Sequence, residues 1–437
     1  MKASRVSRRR NRAAAVLLAA VGCALVLSAC QPWTEWFRMV PTTVPGGGQS
    51  VLTDPSQPSS ATDISETTGF VPPGETSGQP PTATTPAASQ PDDVFDQMAE
   101  DLILLALDGR DTDIILDPLF EAYRIPRLDA DTVIDRLYQI YQTVYLAHPR
   151  FFYLNGSAKV SYTSDQGDGG LIHSMSLTPQ YWESTAALTS RELDLLIHDV
   201  ELMAEDIATQ IRGQTSQPWR QLQLLHDWLV RNIIYDRQEN QEMNHAAAAL
   251  LDGTTLCQGY AQAFQLIGLH LGFDVQMVTG ESDGIGHAWN LVRLDGTWYH
   301  VDVTHDDPLP DGGDETPARH IHFLRSDAIM AATHQWDRTT FPAAPEDGAH
   351  YYRFQGLTAS DDAQLAERIR QALAGHDFST AGVLLIETLL TGTTRPSTAD
   401  VEAMLEDALS HVQNHDRVYY RLLISKDVVF LEISLSD

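Results

Sequence analysis

The sequence predicts an α+β protein on three observations. Apolar residues recur at helical spacing in several stretches, most clearly in a run opening at Cys257 and continuing through Tyr260, Phe264, Ile267 and Leu271. Behind that run, two alternating segments flank Asp295-Gly296, a strong signal for a two-residue antiparallel hairpin. Short strand patterns also lie between helical runs on the N-terminal side, around residues 151–177.

Taken in order, the chain opens with Lys2, Arg5, Arg8, Arg9, Arg10 and Arg12, followed by an apolar run from Ala13 to Leu27 too short to span a bilayer comfortably. Leu27-Ser28-Ala29-Cys30 resembles a bacterial lipobox, which implies a signal peptide over residues 1–29 and lipidation of Cys30. An ordinary signal peptide and a short membrane anchor are the alternative readings. All three place the remainder outside the cytoplasm, and the first ties it to the cell membrane by a lipid anchor. With Cys23 removed and Cys30 lipidated, Cys257 is the one free thiol, and it is either a buried small hydrophobe or a reactive group.

The full chain of 437 residues carries a formal net charge of −30; without the six basic residues of the leader, 23 basic side chains face 59 acidic ones, a net of −36. Such a surface argues against nucleic-acid binding. Residues 30–91 are rich in Pro, Thr, Ser, Gly and Gln without apolar periodicity and read as a disordered tether. Trp33, Trp36 and Phe37 are either interfacial anchors or incidental aromatics.

Ordered sequence begins near Asp92, and residues 92–215 form an accessory α+β region. The pattern predicts helices over about 93–108 and 130–148, then strands at Phe151–Leu154, Lys159–Thr163 and Leu171–Leu177, with a turn at 167–170. Thr189 and Glu192 make a capping box for a long helix ending at Gly213. A core over residues 216–340 follows. Its first helix, after Pro218, carries Leu222, Leu225, Trp228 and Leu229 on one side, and His226 there reads as a partnered structural residue.

Cys257 falls at a helix N-terminus, where unpaired N–H groups and the helix dipole stabilise a thiolate. The hairpin turn pairs Leu294 with Thr297, so that paired numbers sum to 591 and Asp302 lies opposite Trp289. His287 and Trp289 share a strand face, which makes His287 and Asp302 diagonal neighbours within reach of each other. Cysteine, base and orienting acid are the parts of thiol acyl transfer: Cys257 attacks a carbonyl, His287 moves the proton, and Asp302 fixes the imidazole. The backbone N–H of Cys257 is the natural first oxyanion donor. Trp289 either shields His287 or lines the acyl-binding groove.

The segments Leu256-Cys257-Gln258-Gly259-Tyr260-Ala261, His287-Ala288-Trp289-Asn290 and Trp298-Tyr299-His300-Val301-Asp302-Val303-Thr304 resemble the three catalytic motifs of the transglutaminase-like superfamily. The run from Leu225-His226-Asp227-Trp228 to Tyr235-Asp236 resembles the helix preceding the core in bacterial members. The resemblance spans about 217–330 and implies a papain-like core, with the cysteine on a helix and the histidine and aspartate on adjacent antiparallel strands. It also implies Tyr235 as a second oxyanion donor, for which core packing is the other reading. His305 departs from the family pattern, which places Trp after the Val-Thr pair. The superfamily contains both hydrolases and transamidases; hydrolysis of peptide or amide bonds is favoured because no lysine-accepting site is marked.

A metal site is the rival chemistry, drawn from His300, Asp302, His305, Asp306 and Asp307. No HExxH, paired CxxC or EF-hand pattern accompanies them, so neither metal nor cofactor is expected. Asp306-Asp307 and Asp311–Asp314 read as an acidic loop. Residues 346–437 then predict a βαβαββ accessory domain, with strands at Tyr351–Gly356 and Gly382–Leu389, helices near 360–374 and 398–412, and a hairpin over Tyr419–Leu435. Peptide or protein substrates, including cell-wall peptides and neighbouring surface proteins, are the expected partners, and a non-catalytic surface scaffold is the remaining alternative.

Overall fold

The computed structural model describes residues 40–43, 49–53, 91–165, 170–307, 318–347, 351–377, 383–393, 395–412, 417–424 and 427–436. The expected leader, the lipidation residue Cys30 and the acidic stretch 311–314 lie outside these. Within the stretch read as a tether, the structure has two short strands, β1 (Val40–Thr43) and β2 (Gln49–Thr53), which pair antiparallel.

The N-terminal region holds helix α1 (Pro91–Gly109), strand β3 (Ile114–Ile115), helix α2 (Asp117–Ala122) and helix α3 (Ala130–Ala147). Strands β4 (Leu154–Ser164) and β5 (Ile172–Tyr181) pair antiparallel, and the sheet order is β1-β2-β4-β5-β3. The strand expected at Phe151–Leu154 is instead a 3-10 turn over Pro149–Phe151, with only Leu154 in the sheet. Its aromatic run misled the pattern because Phe151, Phe152 and Tyr153 are all buried, so they do not alternate between faces. After the one-turn helix α4 (Glu183–Ala186), α5 (Ser190–Gln214) starts at the Thr189–Glu192 capping box, with both reciprocal hydrogen bonds formed.

The core opens with α6 (Pro218–Asn232), whose missing proline N–H is harmless at the first turn. Two-residue strands β6 (Ile234–Tyr235) and β7 (Thr254–Thr255) pair in parallel and lead into α7 (Cys257–Leu271). Behind it stands an antiparallel sheet of β8 (Val275–Ser282), β9 (Ile285–Leu294), β10 (Thr297–Val301), β11 (Phe323–Arg325) and β12 (His334–Trp336), in the order β11-β10-β9-β8-β12. Short helices α8 (Val303–Asp306) and α9 (Asp327–Met330) interrupt the last crossings. Asp295 and Gly296 both have positive φ (50° and 88°), the type I′ requirement, and the turn sets the predicted register from Leu294–Thr297 through Asn290–Val301. Strand β9 is buried on both faces. Ala288 and Val292 join the main apolar core with α7, while Trp289 and Leu291 pack on Val278, Met330 and Ala344.

The C-terminal unit comprises α10 (Tyr351–Phe354), β13 (Thr358–Ala359), α11 (Asp362–Gly375), β14 (Val383–Leu390), α12 (Thr398–Leu409), β15 (Arg417–Ile424) and β16 (Val428–Ser436). Its sheet runs β13-β14-β16-β15, parallel at β13–β14 and antiparallel elsewhere. The expected strand at Tyr351–Gly356 is a helical turn, and the first strand lies just beyond it. The reason is tertiary: Tyr351 stacks on His320 (ring centroids 3.8 Å apart), Tyr352 is fully buried, and Phe354 stacks on Trp219 at 4.7 Å. These rings fasten the unit to the core. The whole is an α+β protein whose core packs helices against a five-stranded antiparallel sheet, flanked by further α/β regions. Among the described residues no helix is long and apolar enough to cross a membrane.

Candidate active site

Cys257 is the first residue of α7 and is 1% exposed. The residue before it, Leu256, cannot cap the helix; Asn244 does so from the preceding loop, its Oδ1 accepting the N–H groups of Gln258 (2.9 Å) and Gly259 (3.2 Å). This approach leaves no room at residue 259. A Cβ there would stand 1.9 Å from Thr255 Oγ1 and 2.9 Å from the His245 carbonyl oxygen. The helix start is therefore fixed from two sides before the thiol is considered.

His287 lies on β9, and Asp302 follows the last residue of β10. Their side chains meet, His287 Nε2 to Asp302 Oδ2, at 2.8 Å, and both groups are buried. Asp302 leaves the strand to cap α8, its Oδ1 accepting the His305 N–H at 3.2 Å, while its own N–H donates to the His322 carbonyl. Asn290 Nδ2 donates to the Ala261 carbonyl at 3.0 Å, which ties the strand of His287 to α7 one turn beyond Cys257.

Two further histidines crowd the same carboxylate. His334 Nε2 lies 3.0 Å and His305 Nδ1 3.3 Å from Asp302 Oδ2, and the His305 ring stacks on that of His287 with centroids 4.6 Å apart. Burial pulls the Asp302 carboxyl upward, but His305, His287 and His334 outweigh it and hold it well below its usual range. Burial lowers the imidazoles of His305 and His334. Sequence spacing does not mark His334, because it reaches Asp302 only through the pairing of β12 with β8.

The other expected site residues fall as follows. Trp289 is 1% exposed, donates its indole N–H to His300 Nδ1 at 2.9 Å, and lies nearly parallel to the His287 ring at 5.8 Å. It is buried and backs the imidazole. Tyr235 is half-buried opposite Thr255 in the parallel β6–β7 pair, two residues before Cys257. His226 is fully buried between Asp227 and Asp306, at 3.2 Å from each. Asp306 and Asp307 are not a solvated acidic loop: Asp306 is buried against His226 and His322, and Asp307 accepts the Tyr260 hydroxyl at 2.5 Å. His300 pairs with Asp327, away from Asp302. Of the two histidines in the spacing-based metal set, His305 joins Asp302 and His300 does not; the other imidazoles gathered round that carboxylate are those of His287 and His334.

Residues 205–303 match the family model described as the transglutaminase-like superfamily. Human kyphoscoliosis peptidase is 26% identical over 162 residues, 33% of this chain and 23% of that protein. The mouse kyphoscoliosis peptidase is 33% identical over 100 residues, 19% of this chain and 15% of that one. The chain thus spans less than a quarter of the length of these curated relatives. Among solved structures, a TGase aligns at 14% identity with a TM-score of 0.25 over 35% of this chain and 46% of the other. A putative cysteine protease from Cytophaga hutchinsonii aligns at 15% with a TM-score of 0.23 over 35% and 60%. The likeness to the transglutaminase-like superfamily thus covers residues 205–303, the part of the chain that holds α7, the hairpin of β9 and β10, and Asp302.

Proposed function

We propose that the protein is a cysteine-dependent enzyme that acts on peptide or amide bonds through an acyl-thioester on Cys257. The observation that carries this reading is the buried 2.8 Å contact of His287 Nε2, on β9, with Asp302, just past β10, beside a helix that begins with Cys257. With Nε2 held by the carboxylate, Nδ1 is the nitrogen that exchanges a proton with the thiol. Attack by the thiolate on a carbonyl carbon gives a tetrahedral oxyanion, for which the Cys257 N–H at the helix start, and the weaker candidate Tyr235, are the donors. Collapse expels the amine, protonated by His287, and leaves the thioester.

Water then regenerates the thiol in a hydrolase; a primary amine does so in a transamidase. Hydrolysis is the preferred reading, and the acidic surface supplies no argument for either acceptor. The basic leader and the Leu27–Cys30 segment support a location outside the cytoplasm with a lipid on Cys30, where cell-wall peptides and surface proteins are within reach. The scaffold alternative predicts no turnover at all.

A peptide-amide library, assayed for ammonia or amine release with and without a labelled primary amine, tests the proposal. Turnover that disappears in Cys257→Ala supports the enzyme, and the labelled amine separates the two acceptors. Turnover unchanged in Cys257→Ala contradicts it.

A further inference from the structure

Three imidazole nitrogens approach one carboxylate oxygen. Asp302 Oδ2 lies 2.8 Å from His287 Nε2, 3.0 Å from His334 Nε2 and 3.3 Å from His305 Nδ1. A carboxylate oxygen has two lone pairs, so three N–H donors on it are one too many. In each neutral imidazole one nitrogen is a donor and the other an acceptor; with a third ring, an acceptor nitrogen faces an acceptor oxygen unless a cation lies between them.

The four ligand atoms all fall within 4.8 Å of one another. A tetrahedral ion with nitrogen and oxygen ligands at about 2.0–2.2 Å keeps them roughly 3.3 Å apart, so occupation requires small shifts of side chains already in place. The surroundings suit an ion as well. His334 Nδ1 is 2.9 Å from the Thr333 hydroxyl, which directs Nε2 inward in the manner of an outer partner of a metal ligand. Three of the four residues are buried, and the His305 side chain is 25% exposed, which leaves an approach from solvent. Three imidazoles and one carboxylate are a donor set for a late first-row divalent ion rather than for calcium or magnesium, which prefer oxygen.

We propose that His287, Asp302, His305 and His334 form a binding site for a zinc-class divalent ion, and that the ion, when bound, suppresses the chemistry of Cys257. The suppression, though not the binding, rests on the thiol-enzyme reading. An ion on Nε2 takes the lone pair that ring can offer there and confines its proton to Nδ1. Held as an N–H donor, Nδ1 cannot accept the thiol proton. Asp302 is withdrawn from His287 at the same time. No other co-reactant is needed, and removal of the ion restores the pair.

The test uses the full chain with Cys23→Ser and Cys30→Ser, so that Cys257 is the one thiol. Zinc binding is measured by competition with a chromophoric chelator, and the iodoacetamide rate at Cys257 is followed by mass spectrometry with zinc and after EDTA. The expected result is one ion per chain, retained in Cys257→Ala and weakened at least about tenfold in His305→Ala and in His334→Ala, a loss typical even of outer partners. Because His334 is buried, circular dichroism checks its variant, and the more exposed His305 gives the independent reading. Zinc should slow alkylation reversibly. Absence of binding, binding unchanged in both histidine variants, or binding lost in Cys257→Ala would overturn the site. Binding with the expected histidine dependence but unaltered alkylation would overturn the suppression. The alkylation rate of the zinc-free protein separately judges the thiol reading.

Discussion

Asp302 is the residue on which the site turns, since it fixes the His287 ring, caps α8 and receives two more imidazoles. Asp302→Asn preserves the shape but substitutes an amide for the acceptor that sets the His287 tautomer, so turnover should fall on the order of 100- to 10,000-fold. Steady-state kinetics beside an unchanged circular-dichroism spectrum check this. Gly259→Ala tests the helix start differently: its Cβ collides with Thr255 and the His245 backbone, which predicts a loss of about 1–3 kcal/mol in denaturant unfolding. At this scale the sequence was most readable where chemistry and local geometry coincide. His287 and Asp302 could be related through one hairpin turn, and Cys257 placed at a helix start. Asn244 and His334 could not, because each reaches the site through a loop or an edge strand whose path depends on the tertiary fold.

Among the elements, α7 is exceptional in being buried along nearly its whole length, polar residues included. Gln258, Gln262 and Gln265 lie on one side of it and face the N-terminal region. The first two donate to the Tyr145 hydroxyl at 2.9 and 3.0 Å, and Gln265 donates to the Leu146 carbonyl at 2.9 Å. Tyr145 in turn donates to the Leu154 carbonyl. The accessory region thus supplies the acceptors that let a glutamine-bearing helix sit in the core. Tyr145→Phe strands two buried amides and a carbonyl, predicting a loss of about 2–4 kcal/mol by chemical denaturation. The helical stripe of α7 was evident from Tyr260, Phe264 and Ile267. That its opposite face is also buried was not, since glutamines ordinarily mark a solvated side.

Over the whole molecule, buried charge joins the C-terminal unit to the core. His320 bridges Asp227 on α6 (2.8 Å) and Glu387 on β14 (3.2 Å). Burial opposes its charge, but the two carboxylates prevail and raise its pKa to about 10. Its folded value exceeds the unfolded one, so its contribution is complete below about pH 6.5 and is lost as pH rises through about 10. Unfolding free energy measured across that range should decline, and His320→Gln should flatten the decline. Arg325, fully buried, donates to both oxygens of Asp427 at 2.6 Å. Arg325→Met leaves that carboxylate buried without its cation, at an expected cost of about 3–5 kcal/mol in unfolding. The βαβαββ order of this unit could be read from periodicity, apart from its first strand. Its attachment could not, because Tyr351, His320 and Arg325 find their partners only across long separations in the chain.

The central claim, an activated thiol at residue 257, is tested most directly by the pH dependence of iodoacetamide labelling at Cys257, resolved by peptide mass spectrometry in the metal-free protein and in His287→Ala. The account predicts labelling that persists well below the ordinary thiol pKa of about 8.5 and collapses in the variant. Labelling that follows an ordinary thiol curve in both proteins, or none in either, would contradict it.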